Sequence, residues 1–298
     1  MDYAAAYLKK QNNSAKKWYD FFREHLKNEF KTLEYVPTTF TPFTALPNLA
    51  WSESELQRLY YYFAQINSEC LIIFEQCFML SSRKMNHVDL VPHKKEAITL
   101  FAREEFLHTQ AFRRYMKRES FYHWPQESLI VHSCHRLKNT LAWILKKEPY
   151  AIVIPGAKAE TYTLFYSKYL QTIFGANENT YTYLNAIHSI DEITHVQFDY
   201  PFVEEEAQRR GFLGQMKLVF YTLLVIACVQ FIFILGFNNV LKKIRPGLSF
   251  FQKLAIIRNA FQLMLRNFEP YIQTRRSLRA TYSQRPHFMY KFFRIAAL

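Results

Sequence analysis

Two short stretches, "REEFLH" (103–108) and "DEITH" (191–195), each place a Glu three residues before a His and an acid just ahead of that Glu. Side chains three or four apart share a helix face, so Glu105 with His108, and Glu192 with His195, each make one chelating pair. An isolated Glu in apolar helical surroundings precedes each pair: Glu75 in "LIIFEQCF" and Glu160 in "AKAETYT". Glu75 lies 30 residues before Glu105 and Glu160 lies 32 before Glu192, while equivalent members of the two sets are 85 and 87 apart, the pattern of a doubled two-helix unit. Two iron or manganese ions need about this mixture of bridging carboxylates and imidazoles. One Glu from each of two helices plus Glu-x-x-His from each of two others is the di-metal plan of a ferritin-like bundle. An imidazole ligand also needs an acceptor on its second nitrogen, and Glu104 and Asp191 are placed to serve the His of the opposite half. Reading these residues as solvated faces fails at Glu75, because an unpaired carboxylate within "CLIIFEQCFML" would be costly to bury.

Four long helices must carry these groups. "SESE" (52–55) is a capping box, with Ser52 capping and Glu55 reaching back, and it starts a helix expected to run to about Ser81. Pro92 suits a first turn, and the unbroken periodicity of "HKKEAITLFAREEFLHTQAFRRYMKR" predicts a second helix to about Arg118. A third begins near Pro155 with Glu160; a fourth, from about Asn179 to Pro201, carries the second Glu-x-x-His. The connector between the pairs reads as irregular. Ahead of the bundle, a charged amphipathic helix leads into an extended strap, since Pro37, Pro42 and Pro47 exclude continuous helix. Six Gly in 298 residues are too few for the turns of a sheet-rich protein, so the expected class is all-α. The expected organisation is an N-terminal helix and strap (1–50), a ferritin-like four-helix bundle (51–202), and a C-terminal apolar helix with a basic helical tail (203–298).

Half of the residues are hydrophobic (50 %), enough for a sizeable core. Cys70, Cys77, Cys134 and Cys228 form no CxxC pair, and the N-terminal twenty residues lack the apolar core of a secretory signal, so reduced thiols in the cytoplasm are expected. Residues 238–298 hold twelve Lys and Arg against the single acid Glu269, which is +11 of the net +13. Such a tail suits an anionic surface, nucleic acid or lipid headgroups; a solubilising or dimer-packing tail is the alternative. Before it, "LVFYTLLVIACVQFIFILGF" (218–237) is twenty residues without a charge, long enough to span a bilayer core. One crossing would keep the basic tail in the cytoplasm and put the metal site on the far side, away from reductant. Burial against the bundle or in a dimer interface is therefore favoured over membrane association. His132 and His135 lie in the connector, and His87, His93 and His123 have no acidic partner at ligand spacing; structural or surface roles are expected for all five. Tyr162 and Tyr166 are assigned to core packing.

With His188 added one turn before Glu192, the set Glu75, Glu105-x-x-His108, Glu160, His188-x-x-x-Glu192-x-x-His195 resembles the di-iron N-oxygenases of the p-aminobenzoate N-oxygenase type. The lead-in "LPNLAWSESELQRLYYYFAQINSECLIIFE" is similar to that family's entry to its first ligand helix, and the resemblance covers residues 40–200. It implies that Glu105 and Glu192 bridge two irons, that His108 and His195 bind one each, that Glu75 and Glu160 are terminal carboxylates, and that His188 is an extra imidazole. It further implies O2 as co-substrate, an external electron donor and an amine as the small organic substrate. A second ferritin-like group, of metal-dependent hydrolases, has a similar final motif followed by an apolar segment. The function expected is thus a non-haem di-iron oxygenase. A membrane-associated hydroxylase or desaturase of an acyl chain, a metal-dependent hydrolase, and a non-catalytic ferritin-like iron-binding protein are the alternatives. Expected partners are the substrate, the electron donor, and a second copy of the chain or an anionic membrane surface met through residues 218–298. Nucleic acid rests on the tail alone and is disfavoured.

Overall fold

The computed structural model describes residues 2–10, 14–24, 51–85, 90–122, 130, 135–174 and 180–266. Among these the chain is all-α, with no strand: α1 (Tyr3–Lys10), α2 (Ser14–Glu24), α3 (Glu53–Met85), α4 (Pro92–Tyr122), α5 (His135–Lys147), a 3-10 turn (Pro149–Ile152), α6 (Val153–Phe174), α7 (Thr180–Arg209), α8 (Phe212–Ile244) and α9 (Phe250–Arg266). α3 packs along α4 and α6 along α7, and short connections make each pair an antiparallel hairpin. α4 also meets α7, and α3 meets α6, so the four helices enclose a common interior.

The capping box of α3 forms as the sequence predicts: the Glu55 amide donates to Ser52 Oγ (3.3 Å) and the Ser52 amide donates to Glu55 Oε2 (2.8 Å). Arg245, just after α8, donates to both oxygens of the same carboxylate (2.6 and 2.8 Å) and lies over the Trp51 ring. The end of α8 is thereby tied to the start of α3.

Several boundaries differ from expectation for physical reasons. Pro201 was expected to end the fourth helix, yet α7 runs through it to Arg209. A proline removes only one ladder donor, and continuing the helix buries Phe202, Val203 and Ala207. The added turn also carries Glu206, which Arg209 and Arg210 pair, while Arg210 reaches on to Glu148 (2.9 Å). The connector is not irregular throughout, because α5 buries Leu141, Ile144 and Leu145, and it packs on α3 and α8.

The N-terminal segment forms two short helices that pack on the bundle, α1 across α4 and α7 and α2 against α4. The proline strap and the tail beyond residue 266 lie outside the described residues, as do Cys134, His87, His123 and His132. Cys70, Cys77 and Cys228 form no disulfide among the described residues; Cys228 is buried and the other two are half-buried. α8 is long and apolar enough to cross a membrane, and only 33 % of its most apolar window is buried. Packing on α3 and α5 accounts for one face, and Phe220 and Phe231 on another are 57 % exposed.

Candidate metal centre

Glu75 from α3, Glu105 and His108 from α4, and His188, Glu192 and His195 from α7 converge, all buried, between the two hairpins. One atom each from Glu105, His108, Glu192 and His195 lies within 4.8 Å of the others, and the same holds for Glu75, His108 and His188. Glu105 and Glu192 stand between the two halves. Glu105 turns Oε2 toward His108 Nδ1 (3.6 Å) and Oε1 toward His195 Nδ1 (3.1 Å). Glu192 does the same, with Oε1 toward His108 Nδ1 (3.6 Å) and Oε2 toward His195 Nδ1 (3.3 Å). Each carboxylate thus offers one oxygen to each imidazole. His188 Nε2 approaches Glu192 Oε1 (2.6 Å) and Glu75 Oε1 (3.3 Å), which places the third imidazole on the His108 side.

The outward nitrogens are held from the opposite half. His108 Nε2 donates to Asp191 Oδ2 (3.1 Å), and His195 Nε2 donates to Glu104 Oε2 (3.1 Å). Such a bond holds each ring with Nδ1 facing inward, where its lone pair becomes available to a cation that displaces the Nδ1 proton. Sequence reasoning did not find what holds these carboxylates. Trp18 Nε1 and Lys17 Nζ of α2 donate to the two Asp191 oxygens (both 2.7 Å), and the Tyr7 hydroxyl of α1 donates to Glu104. No spacing rule links these residues across the chain; the only signal was the amphipathic N-terminal helix. Thr109, beside His108, donates to Glu75 Oε2 (2.9 Å), which orients the carboxylate. Tyr162 and Tyr166 stack on each other (5.6 Å), with the Tyr181 hydroxyl 3.5 Å from that of Tyr166.

Glu160 is buried but stands outside the two tight groups. It lines a cavity of about 30 Å³ together with Glu75, Glu105, His188 and Glu192. Its carboxyl group sits beside that of Asp199, one turn beyond His195 on α7. Both approach Gly156, where a Cβ would lie 3.6 Å from Asp199 Oδ2 and 3.9 Å from Glu160 Oε1. Asp199 is fully buried, and neither of its oxygens has a hydrogen-bond partner among the described residues. Its step from His195 equals that from His188 to Glu192, so spacing could have flagged it.

Burial opposes charge on all of these groups, and their neighbours decide the outcome. For His108 the Asp191 hydrogen bond and the carboxylates of Glu105 and Glu75 outweigh burial and raise it to about 10. His195 is raised too, against the same burial, by Tyr7, Glu192, Glu104 and Glu105. Despite burial, Asp191 is held below the carboxylate range by His108 and Lys17, and Glu192 by His188 and His195. Burial pushes Glu75, Glu160 and Asp199 up, and the Asp199 carboxylate raises Glu160 further.

Glu75 Oε1, His108 Nδ1, His188 Nε2, Glu192 Oε2, His195 Nδ1 and Glu160 Oε2 lack hydrogen-bond partners among the described residues, as Asp199 does. A buried polar atom left unsatisfied costs about 1–3 kcal/mol, yet here many share one interior. Inward lone pairs of imidazole and carboxylate are what a metal cation satisfies, and this mixture suits iron, manganese or zinc. The buried cluster can therefore hold a metal ion. No protein-family model, curated protein or solved structure matches the chain.

Proposed function

We propose that the chain is a non-haem di-iron oxygenase built on a ferritin-like bundle of α3, α4, α6 and α7. One observation carries the reading: Glu105 and Glu192 each present one oxygen to His108 Nδ1 and the other to His195 Nδ1. That arrangement suits two cations bridged by two carboxylates. Glu75, His108 and His188 would hold one ion, Glu160, His195 and Asp199 the other, and Glu105 and Glu192 both; manganese fits the same donors. When bound, the pair supplies the redox chemistry by which O2, with electrons from an external donor, oxidises an organic substrate. Each turnover takes up O2, two electrons and two protons, places one oxygen atom on the substrate and releases the other as water.

The chain's own residues prepare this chemistry. Asp191 and Glu104 keep the imidazole lone pairs aimed inward, and Trp18, Lys17 and Tyr7 keep those two carboxylates in place. Phe101 stacks on His195 (4.0 Å) and Phe78 on Phe101 (4.1 Å), while Phe112 lies edge-on to His188 (5.2 Å). These rings shield the interior from bulk water.

The test is to reconstitute the full chain with ferrous iron without air, count bound metal, and then measure O2 uptake with a reductant. About two ions per chain with reductant-dependent O2 uptake support the reading. A single zinc, or no metal, overturns it. Metal uptake without O2 consumption favours a hydrolase or an iron-binding protein.

The exposed apolar residues of α8 and α9 support a second reading, about location. Phe220, Phe231, Phe250, Phe251 and Leu254 are exposed, and so are Lys242 and Lys243. The chain lies in the cytoplasm against an anionic membrane without crossing it, with each cation near the surface contributing roughly 1 kcal/mol. Sedimentation with anionic vesicles at low salt tests this, and a chain that stays in the supernatant refutes it.

A further inference from the structure

A second, larger cavity of about 320 Å³ lies between α3, α6 and α8. Its walls include Leu71 and Phe74 of α3, Ala159 of α6, and Ile226, Val229 and Phe233 of α8. Leu71, Phe74 and Ala159 also line the small cavity against Glu75, Glu105, Glu160 and His188, so the two spaces share a wall. The lining extends over residues 67–74, 155–162 and 226–233 of the three helices, about 10 Å along each. Its volume falls within the range of small-molecule sites, about 300–1,000 Å³. The wall also carries Cys70, the Tyr162 ring stacked on Tyr166, and Asn67, which is committed to the Tyr181 hydroxyl (3.1 Å). Lys158 is half-buried and Gln230 exposed, which marks the outer end of the cavity. That end opens beside exposed Phe231 on the apolar face of α8.

We infer that the substrate of this centre is a linear acyl chain whose methyl-terminal half lies along this cavity toward the metals, while the rest of the chain and its polar end pass out beside Gln230 onto the exposed apolar face of α8. The inference rests on the oxygenase reading above and specifies its substrate. An aromatic amine would have to bring its hydrogen-bonding nitrogen to a wall made of Leu71, Phe74 and Ala159, and would lose its solvation without replacement. A methylene at that wall loses nothing and leaves water. The apolar α8 face beside the mouth lets a chain arrive from a bilayer or as a free fatty acid.

The experiment uses purified full-length protein and a fluorescent long-chain fatty acid, with metal counted on the same samples. Hexadecanoate is expected to displace the probe, and p-aminobenzoate at the same concentration is not. Val229→Trp fills the cavity from α8, away from the proposed ligands, and should weaken hexadecanoate binding about tenfold or more with metal content unchanged. Ile226→Trp is the second blocking variant, should the first lose helicity. Hexadecanoate in buffer and phosphatidylcholine–phosphatidylglycerol vesicles are compared as donors, to separate a free fatty acid from a membrane acyl chain; capture from either supports the inference. Failure of displacement from both, equal displacement by p-aminobenzoate, or indifference to both blocking variants overturns it. A chain that takes up about two ions and refuses hexadecanoate overturns this inference alone, whereas one that binds hexadecanoate and no metal overturns the oxygenase reading.

Discussion

The two halves of the centre are near copies in sequence and unequal in structure. On the His108 side, α7 contributes an imidazole, His188, and the carboxylate behind His108, Asp191, is engaged on both oxygens by Lys17 and Trp18. On the His195 side, α7 contributes a carboxylate, Asp199, beside Glu160, and the carboxylate behind His195, Glu104, has no partner on Oε1 among the described residues. One half is richer in nitrogen, the other in oxygen. The doubled Glu-x-x-His framework sets what the halves share. The positions one turn before and one turn after the α7 pair set how they differ, so a single face of α7 serves both.

Breaking what the halves share should have the largest effect. Glu192→Ala withdraws one oxygen from each half, so metal content by elemental analysis should fall from about two ions per chain to almost none, with helicity retained. Retention of both ions would mean that the halves do not depend on a common carboxylate. Breaking one half should cost one ion. Asp199→Asn keeps the shape and removes the charge, and should leave about one ion per chain in the His108 half. If both ions stay at unchanged affinity, Asp199 is no ligand and the oxygen-rich half is an illusion.

The outer carboxylates sharpen the contrast at smaller scale. Asp191→Asn and Glu104→Gln should each weaken metal affinity about 10- to 100-fold in a metal titration. Asp191→Asn should weaken it more, because it also deprives Lys17 of its partner; equal losses would remove that difference between the halves. Smallest is the effect of pH on the metal-free chain. His108 is raised in the fold, so its contribution to stability is fully present below its ordinary value near 6.5 and disappears as pH rises through about 10. Asp191 is depressed, so its contribution is present above its ordinary 3.8 and is lost as pH falls below that. Thermal unfolding should therefore show falling stability from pH 6.5 toward 10, less so in Asp191→Asn. A flat alkaline limb in the unsubstituted chain would mean that the His108 half is not held by this pair.

The sequence by itself determined the all-α class and the gathering of Glu75, Glu105, His108, His188, Glu192 and His195. Those follow from side-chain periodicity along single helices, which is local. Even the crossing of Glu104 and Asp191 to the opposite His could be read, because an acid one position ahead of a ligand points a quarter-turn away, toward the neighbouring helix. Only the tertiary structure decided the rest. Tyr7, Lys17 and Trp18 reach carboxylates far along the chain, and the docking of α1 and α2 on the bundle, not any spacing, brings them there. Asp199 lay within the helix expected from the sequence, and it joined the centre because the packing of α6 on α7 sets its carboxyl group beside Glu160 and Gly156. For α8, composition could not choose between core and membrane, since both reward apolar side chains; packing against α3 and α5 buried one face, left another exposed and formed a cavity between α8 and the helices that carry the buried Glu/His cluster.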